Sequence, residues 1–277
     1  MFQNCLVRYF EYNYFNIRNQ FYIAAKTYNP DAIHDLRVEI KQLRAYFQLI
    51  EWINPSFSYK DNFRYIKKLF KSAGTVRDLQ VQAELTSEWQ TRLNVNLDDY
   101  SKLLEQREIA AKLDFARFCK RYKLKNLKSK RKNLEQALEN ISLGFAKIRA
   151  NDRVQFQIRE MITFGHMAPK SDEPLHKIRA LAKQARYTFN ILEKCSLRTD
   201  FPKTITDELK NIHHALGEWH DHELALEFLD NFKNNFSRYS PIDEKQFSAL
   251  KRTIGKEKES LRSEFSKLWG EFVKQYQ

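Results

Sequence analysis

The sequence predicts an all-α fold made of two similar halves, on three observations. Helix breakers are scarce, with six glycines and six prolines in 277 residues. Apolar residues recur at three- and four-residue spacing, with little of the alternation that marks strands. One segment is written twice: residues 33–51 read IHDLRVEIKQLRAYFQLIE and residues 175–193 read LHKIRALAKQARYTFNILE. Both hold the frame H-x-x-R-x-x-x-K-x-x-R, as His34, Arg37, Lys41 and Arg44, then His176, Arg179, Lys183 and Arg186.

The periodicity places helices near 2–28, 31–53, 59–73, 78–93, 98–122, 130–148, 152–165, 173–196, 203–217, 221–236 and 243–275. The stops have local chemistry: Asn29-Pro30 with Asp31, Asn54-Pro55, Gly74, Gly165 with Pro169, Phe201-Pro202, Gly217 and Ser240-Pro241. Residues 166–173 read as the longest loop.

The repetition extends past the ladders. LFKSAGTVRDLQVQAEL (69–85) and IHHALGEWHDHELALEFL (212–229) align at Gly74 and Gly217, pairing Arg77 with His220 and Asp78 with Asp221. His34 to Gly74 is 40 residues and His176 to Gly217 is 41. The chain therefore reads as one domain, 1–277. An N-terminal repeat of about 1–145 and a C-terminal repeat of about 146–277 are expected to be related by a pseudo-two-fold axis.

Lys plus Arg outnumber Asp plus Glu by 48 to 35, a formal charge of +13. That excess points to a polyanionic partner such as nucleic acid, polyphosphate or an acidic membrane surface. No window approaches the roughly 18 apolar residues of a membrane span. The N-terminus lacks a basic start and uninterrupted apolar stretch, so no signal peptide is expected. Cys5, Cys119 and Cys195 form no CxxC pair and no zinc spacing, which suggests a soluble protein in a reduced, cytoplasmic setting.

At about 100° per residue the four ladder positions fall within an arc of roughly 80°, and His34 to Arg44 rises about 15 Å. Ile33, Leu36, Ile40, Leu43, Phe47 and Ile50 take the other side as core. A solvated stripe held by salt bridges is the alternative. Asp35 and Glu39, however, lie off the stripe, and no acid stands between His176 and Arg186. Arg offers bidentate donors to phosphate oxygens, Lys a compact charge, and neutral His one N–H.

Arg64, Lys67, Lys68 and Lys71 form a second basic face, repeated in part by Lys210 opposite Lys67 and His214 opposite Lys71; Asp207 stands opposite Arg64. Lys68 reads equally well as ordinary surface. Arg77 and His220 are expected to contact the anion, and Asp78 and Asp221 to cap new helices. His213 and His222 are expected to face solvent or bond locally. The basic run at 117–132 follows no single face and reads as a solvated helix end and linker. The 21 Phe and 13 Tyr mostly keep core spacing. Tyr187 fits either the core or the groove edge, where its hydroxyl would reach a phosphate.

The paired ladders, each followed by Gly-x-x-(Arg/His)-Asp in a basic helical chain, resemble the CHAD family, the conserved histidine α-helical domain, over about residues 1–275. The resemblance implies two pseudo-symmetric helical halves around a basic central groove or pore. It also implies binding of inorganic polyphosphate, with association with polyphosphate granules in some members. Carried over by position, His34, Arg37, Lys41 and Arg44 form one wall, and His176, Arg179, Lys183 and Arg186 the other. Gln42 and Gln184 depart from the family's frequent second cation, and His220 from its frequent Arg. Some relatives carry a fused triphosphate tunnel domain with an ExExK strand. Here Glu257 and Glu259 lie in a helical stretch and Leu261 follows, so triphosphate hydrolysis is not expected.

The expectation is thus a non-catalytic polyphosphate-binding protein with no cofactor and no metal. Nucleic-acid binding is the alternative, although no reading motif or obvious stacking platform is present. A metal-dependent phosphohydrolase, suggested by His213, His214 and the His220-Asp221 pair, is the third. Arg77-Asp78, the counterpart of that last pair, retains no metal-binding histidine.

Overall fold

A computed structural model describes residues 2–168, 171–197, 201–202, 204–236 and 244–277, and no strand occurs among them. The chain runs α1 (Phe2–Thr27), α2 (Pro30–Ile53), α3 (Tyr59–Leu93), α4 (Asp98–Arg121), α5 (Lys125–Lys128), α6 (Lys130–Leu138), α7 (Leu143–Gly165), α8 (Glu173–Lys194), α9 (Ile205–Phe236) and α10 (Glu244–Tyr276). In the first half α1 packs on α2, α2 on α3 and α3 on α4. The second half repeats that order, α7 on α8, α8 on α9 and α9 on α10. The halves meet chiefly where α2 lies against α7 and α8, with a smaller contact between α3 and α9. None of the described helices is long and apolar enough to cross a membrane.

Local chemistry sets the entry of the first ladder helix. Asn29 Oδ1 accepts from the Asp31 and Ala32 amides at 2.9 and 3.0 Å, and Pro30 occupies the first turn, where its missing N–H costs nothing. From there α2 buries Ile33, Leu36, Ile40, Leu43, Tyr46, Phe47, Leu49 and Ile50. Tyr46 donates its hydroxyl proton to the Leu6 carbonyl at 2.8 Å. On α8, Pro174 sits in the first turn, and Ile178, Ala182, Ala185 and Phe189 are buried.

Two expected breaks are absent. α3 continues through Gly74 and α9 through Gly217, so Asp78 and Asp221 lie inside helices and cap nothing. Buried Ile66, Leu69, Ala73, Val76 and Leu79 carry the apolar stripe of α3 across its glycine. A glycine inside a helix costs only about 1 kcal/mol, which such burial outweighs. A methyl group on Gly74 would overlap the Arg37 guanidinium, whereas at Gly217 it would meet nothing within 4 Å. Conversely, the expected helix 130–148 is divided. Ser142 accepts from the Phe145 amide at 3.2 Å and starts α7 there. Pro169 and Ser240-Pro241 lie outside the described residues.

The cysteines also correct the sequence reading. Cys5 and Cys195, 190 residues apart, form a disulfide with their Cα atoms 5.6 Å apart, so the argument from spacing for a reduced setting fails. Cys119 remains a free thiol, pushed up to about 12 by burial.

Thiol titration of the denatured, unreduced protein is therefore expected to find one reactive cysteine, and three after reduction. Gly217→Ala is expected to raise the free energy of unfolding by roughly 0.5–1 kcal/mol. Gly74→Ala is expected to lower it by roughly 1–3 kcal/mol, because Arg37 must be displaced. Denaturant unfolding of the two variants checks both signs.

Candidate functional site

Where α2 meets α8 the two ladders face each other. Lys41 and Lys183 come within hydrogen-bonding reach across the seam. Both amines are pushed below the ordinary lysine value, Lys183 the further. Burial is the first cause for each, followed by cationic neighbours: Arg37 and Arg179 at Lys41, and Lys41, Arg179 and Arg186 at Lys183. Arg37 is held from α3. It donates to the Phe70 carbonyl at 3.3 Å, lies 4.5 Å from the Phe70 ring centroid and approaches Asp78 at 3.7 Å. Asp78 is thus a counter-ion to the ladder. Asp221 stands likewise beside Arg179, and burial pushes its carboxyl up.

These acids leave the cationic seam undersupplied. Glu39 is turned away, accepting from Asn13 and Asn16 on α1 at 2.7 and 3.2 Å. Arg179 Nε, Arg186 Nε and His213 Nε2 are buried without a hydrogen-bond partner among the described residues. Burial and then Lys183, Arg179, Arg186 and Lys41 push the His213 pKa down to about 2. Its imidazole is therefore neutral, a donor and not a charge.

His34 sits at the exposed end of the first ladder, its pKa lowered by partial burial and then by Arg77 and Lys41. Half-buried Arg77 is near Arg37 and Asp221 and lines a hollow of about 490 Å³ with Glu84, Arg92, Asp221, His222 and Glu257. On the α8 side, His176 Nε2 and His220 Nδ1 lie 3.2 and 3.1 Å from Glu223 Oε2. A larger hollow, about 640 Å³ between α1 and α6, is elsewhere. Its Arg131 is already balanced by Glu11 and Glu135 at 2.7 and 2.8 Å.

Not every expected residue joins this cluster. Arg64, Lys67, Lys71 and Lys210 are exposed on α3 and α9. Exposed Arg44 lies 6.0 Å from the Tyr59 ring centroid. Tyr187 is buried, with its hydroxyl meeting Arg186 and with Tyr9 and Glu39 nearby. His214 points outward and pairs with Glu218 at 3.6 Å. The histidine against the ladders is His213, expected from the sequence to face solvent or bond locally. Aligning Gly74 with Gly217 pairs His213 with Phe70, the residue packed on Arg37, and that register was the available signal. His222 is also inward, 3.3 Å from Glu257. Tyr12, Phe15 and Tyr22 stand exposed along α1.

The CHAD domain family model matches residues 20–230, and no curated protein matches the chain. The chain is similar in fold to the crystal structure of the CHAD domain from the plant Ricinus communis. The TM-score is 0.70 at 13% identity, over 96% of this chain and 92% of that one. It is likewise similar to PptA from Streptomyces chartreusis, with a TM-score of 0.65 at 14% identity over 97% and 99% of the two chains.

The seam should cost stability in the free protein. An unfolded lysine keeps its proton up to its ordinary value of 10.5, whereas Lys183 in the fold releases it nearer 6. Stability is therefore lost as pH falls between those values. Lys183→Met is expected to stabilise the free fold by roughly 1–4 kcal/mol near pH 6, with the gain fading toward pH 10. Chemical unfolding across that range measures it.

Proposed function

The chain belongs to the CHAD domain family, and from that premise we propose that it binds inorganic polyphosphate without hydrolysing it, along the seam between α2 and α8. One observation carries the reading: Arg37, Lys41, Arg179, Lys183 and Arg186 converge with too few acids, and two buried guanidinium donors there, with His213 Nε2, lack a partner among the described residues. A chain of phosphates supplies closely spaced negative oxygens along a line, which suits a ladder about 15 Å long. Arg37 and Arg179 grip through guanidinium forks, Lys41 and Lys183 through point charge, and His213 through a neutral N–H. Arg77, His34, His176 and His220 border the same path. Arg44, Arg64, Lys67, Lys71, Lys210 and His214, being outward, contribute at most long-range attraction. Association with polyphosphate granules, which the family resemblance implies, is proposed with it.

The pH dependence differs from the one that histidines near 6.5 would give. His34 and His220 are shifted down, each by burial first, so near neutrality the lysines carry the titration. A bound polyanion favours their protonated forms, so binding takes up protons. Affinity is expected to rise as pH falls from the ordinary lysine range near 10.5 and to level below about 6. Calorimetry in buffers of different ionisation enthalpy reads the proton uptake.

Charge reversal tests the seam directly. Arg37→Glu combined with Arg179→Glu is expected to weaken long-chain polyphosphate binding by roughly 100-fold or more, two charge-assisted contacts being lost. Far-UV circular dichroism should stay helical. In low salt, polyphosphate at about 100 times its Kd should stabilise the fold by roughly 2.7 kcal/mol, and added salt should erode this. Easy displacement by RNA at physiological salt, or phosphate release in the presence of Mg²⁺ or Mn²⁺, would overturn the proposal.

A further inference from the structure

The two halves differ most at one corner of the seam. Aligned by the ladders and the glycines, His34, Arg77 and Gln80 in the first half correspond to His176, His220 and Glu223 in the second. In the first half this corner holds a cation and a neutral amide, and Gln80 donates to the Tyr28 carbonyl at 3.1 Å. In the second it holds two imidazoles converging on one carboxylate oxygen. The second half thus adds a carboxylate beside the path, and Lys258 engages only its Oε1, at 3.6 Å.

We propose that His176 Nε2, His220 Nδ1 and Glu223 Oε2 form a three-ligand site for a divalent ion of the Zn²⁺ class, with a fourth position open to an anionic oxygen. Glu223 Oε2 lies 3.1 Å from His220 Nδ1 and 3.2 Å from His176 Nε2, and all three atoms are within 4.8 Å of one another. A tetrahedral ion with bonds of about 2.0–2.1 Å requires ligand atoms about 3.3 Å apart. His220 and Glu223 stand at i and i+3 on α9, and His176 lies in the first turn of α8, so the donors sit on rigid elements.

The surrounding residues orient the donors. Lys258 approaches Glu223 Oε1 at 3.6 Å and is itself held by Asp172 at 3.0 Å, which also binds Arg262 at 3.0 Å. That arrangement occupies one carboxylate oxygen and leaves the other facing the imidazoles. The buried Trp219 ring packs 5.0 Å from His176 and lies 4.9 Å from the Lys258 ammonium. Lys258 and Arg179 repel a bare cation, so an anion in the fourth position completes the charge balance. The identification of that anion with a phosphate oxygen of polyphosphate rests on the proposed function; binding of the ion does not.

The test titrates Zn²⁺ into the full chain against a chromophoric chelator, with Co²⁺ absorption as a second probe. One ion per chain is expected, with the intense visible bands of four-coordinate Co²⁺. Glu223→Gln, which restores the residue type of the first half, and His220→Ala should each weaken binding roughly tenfold or more. His166→Ala, at the exposed end of α7, should not. No Zn²⁺ binding by the wild-type chain, or equal binding by Glu223→Gln with its helicity intact, sinks the site. A chain that binds Zn²⁺ but not polyphosphate leaves the site standing and removes the proposed function. A chain that binds polyphosphate but not Zn²⁺ does the reverse.

Discussion

Two helices of like charge are pressed together along α2 and α8, and the surrounding architecture is what makes that contact tolerable. Lys41 and Lys183 share a buried space with three arginines, an arrangement that electrostatics alone would drive apart. The opposing force comes from the other faces of the same helices. Ile33, Leu36, Ile40 and Leu43 on α2, and Ile178, Ala182, Ala185 and Phe189 on α8, are fully buried. Each of the larger of these side chains, the Ile, Leu and Phe residues, is worth about 1.5–3 kcal/mol in removal from water. Hydrophobic burial thus holds a concentrated positive charge in a form the isolated side chains would avoid.

Acids are rationed along this seam. Asp78 faces Arg37 from α3, and Asp221 with Glu223 faces Arg179 from α9. The lysines receive none of comparable proximity, and their depressed proton affinity is the result. The halves then diverge in detail: Phe70 packs beside Arg37 where His213 stands beside Arg179, and Gln80 answers Glu223. One half therefore carries an apolar-walled arm and the other an imidazole-rich arm.

The helical class and the two ladder helices were legible because they depend on local spacing. Gly74 was misread because its meaning lies in Arg37, 37 residues earlier, whose guanidinium takes the space a side chain would need. With the helix unbroken, Asp78 becomes a partner to that arginine instead of a cap. His213 and His214 could not be separated by composition. A 100° rotation on α9 decides which of them meets the ladders, and only the register against Phe70 carries that information. Lys258 and Asp172 were out of reach because their relation to Glu223 is wholly tertiary. The pairing of Cys5 with Cys195 was hidden for the same reason.

The covalent tie between those cysteines has a mechanical side. It anchors the N-terminal part of α1 just beyond the last turn of α8, close to the Arg186 end of the second ladder and far from the His176 end. A cleft pinned at one extremity widens like a clothes-peg, with its jaws at the other. Any parting of the two arms would then be greatest at the end guarded by His176, and the proposed polyanion would enter there first.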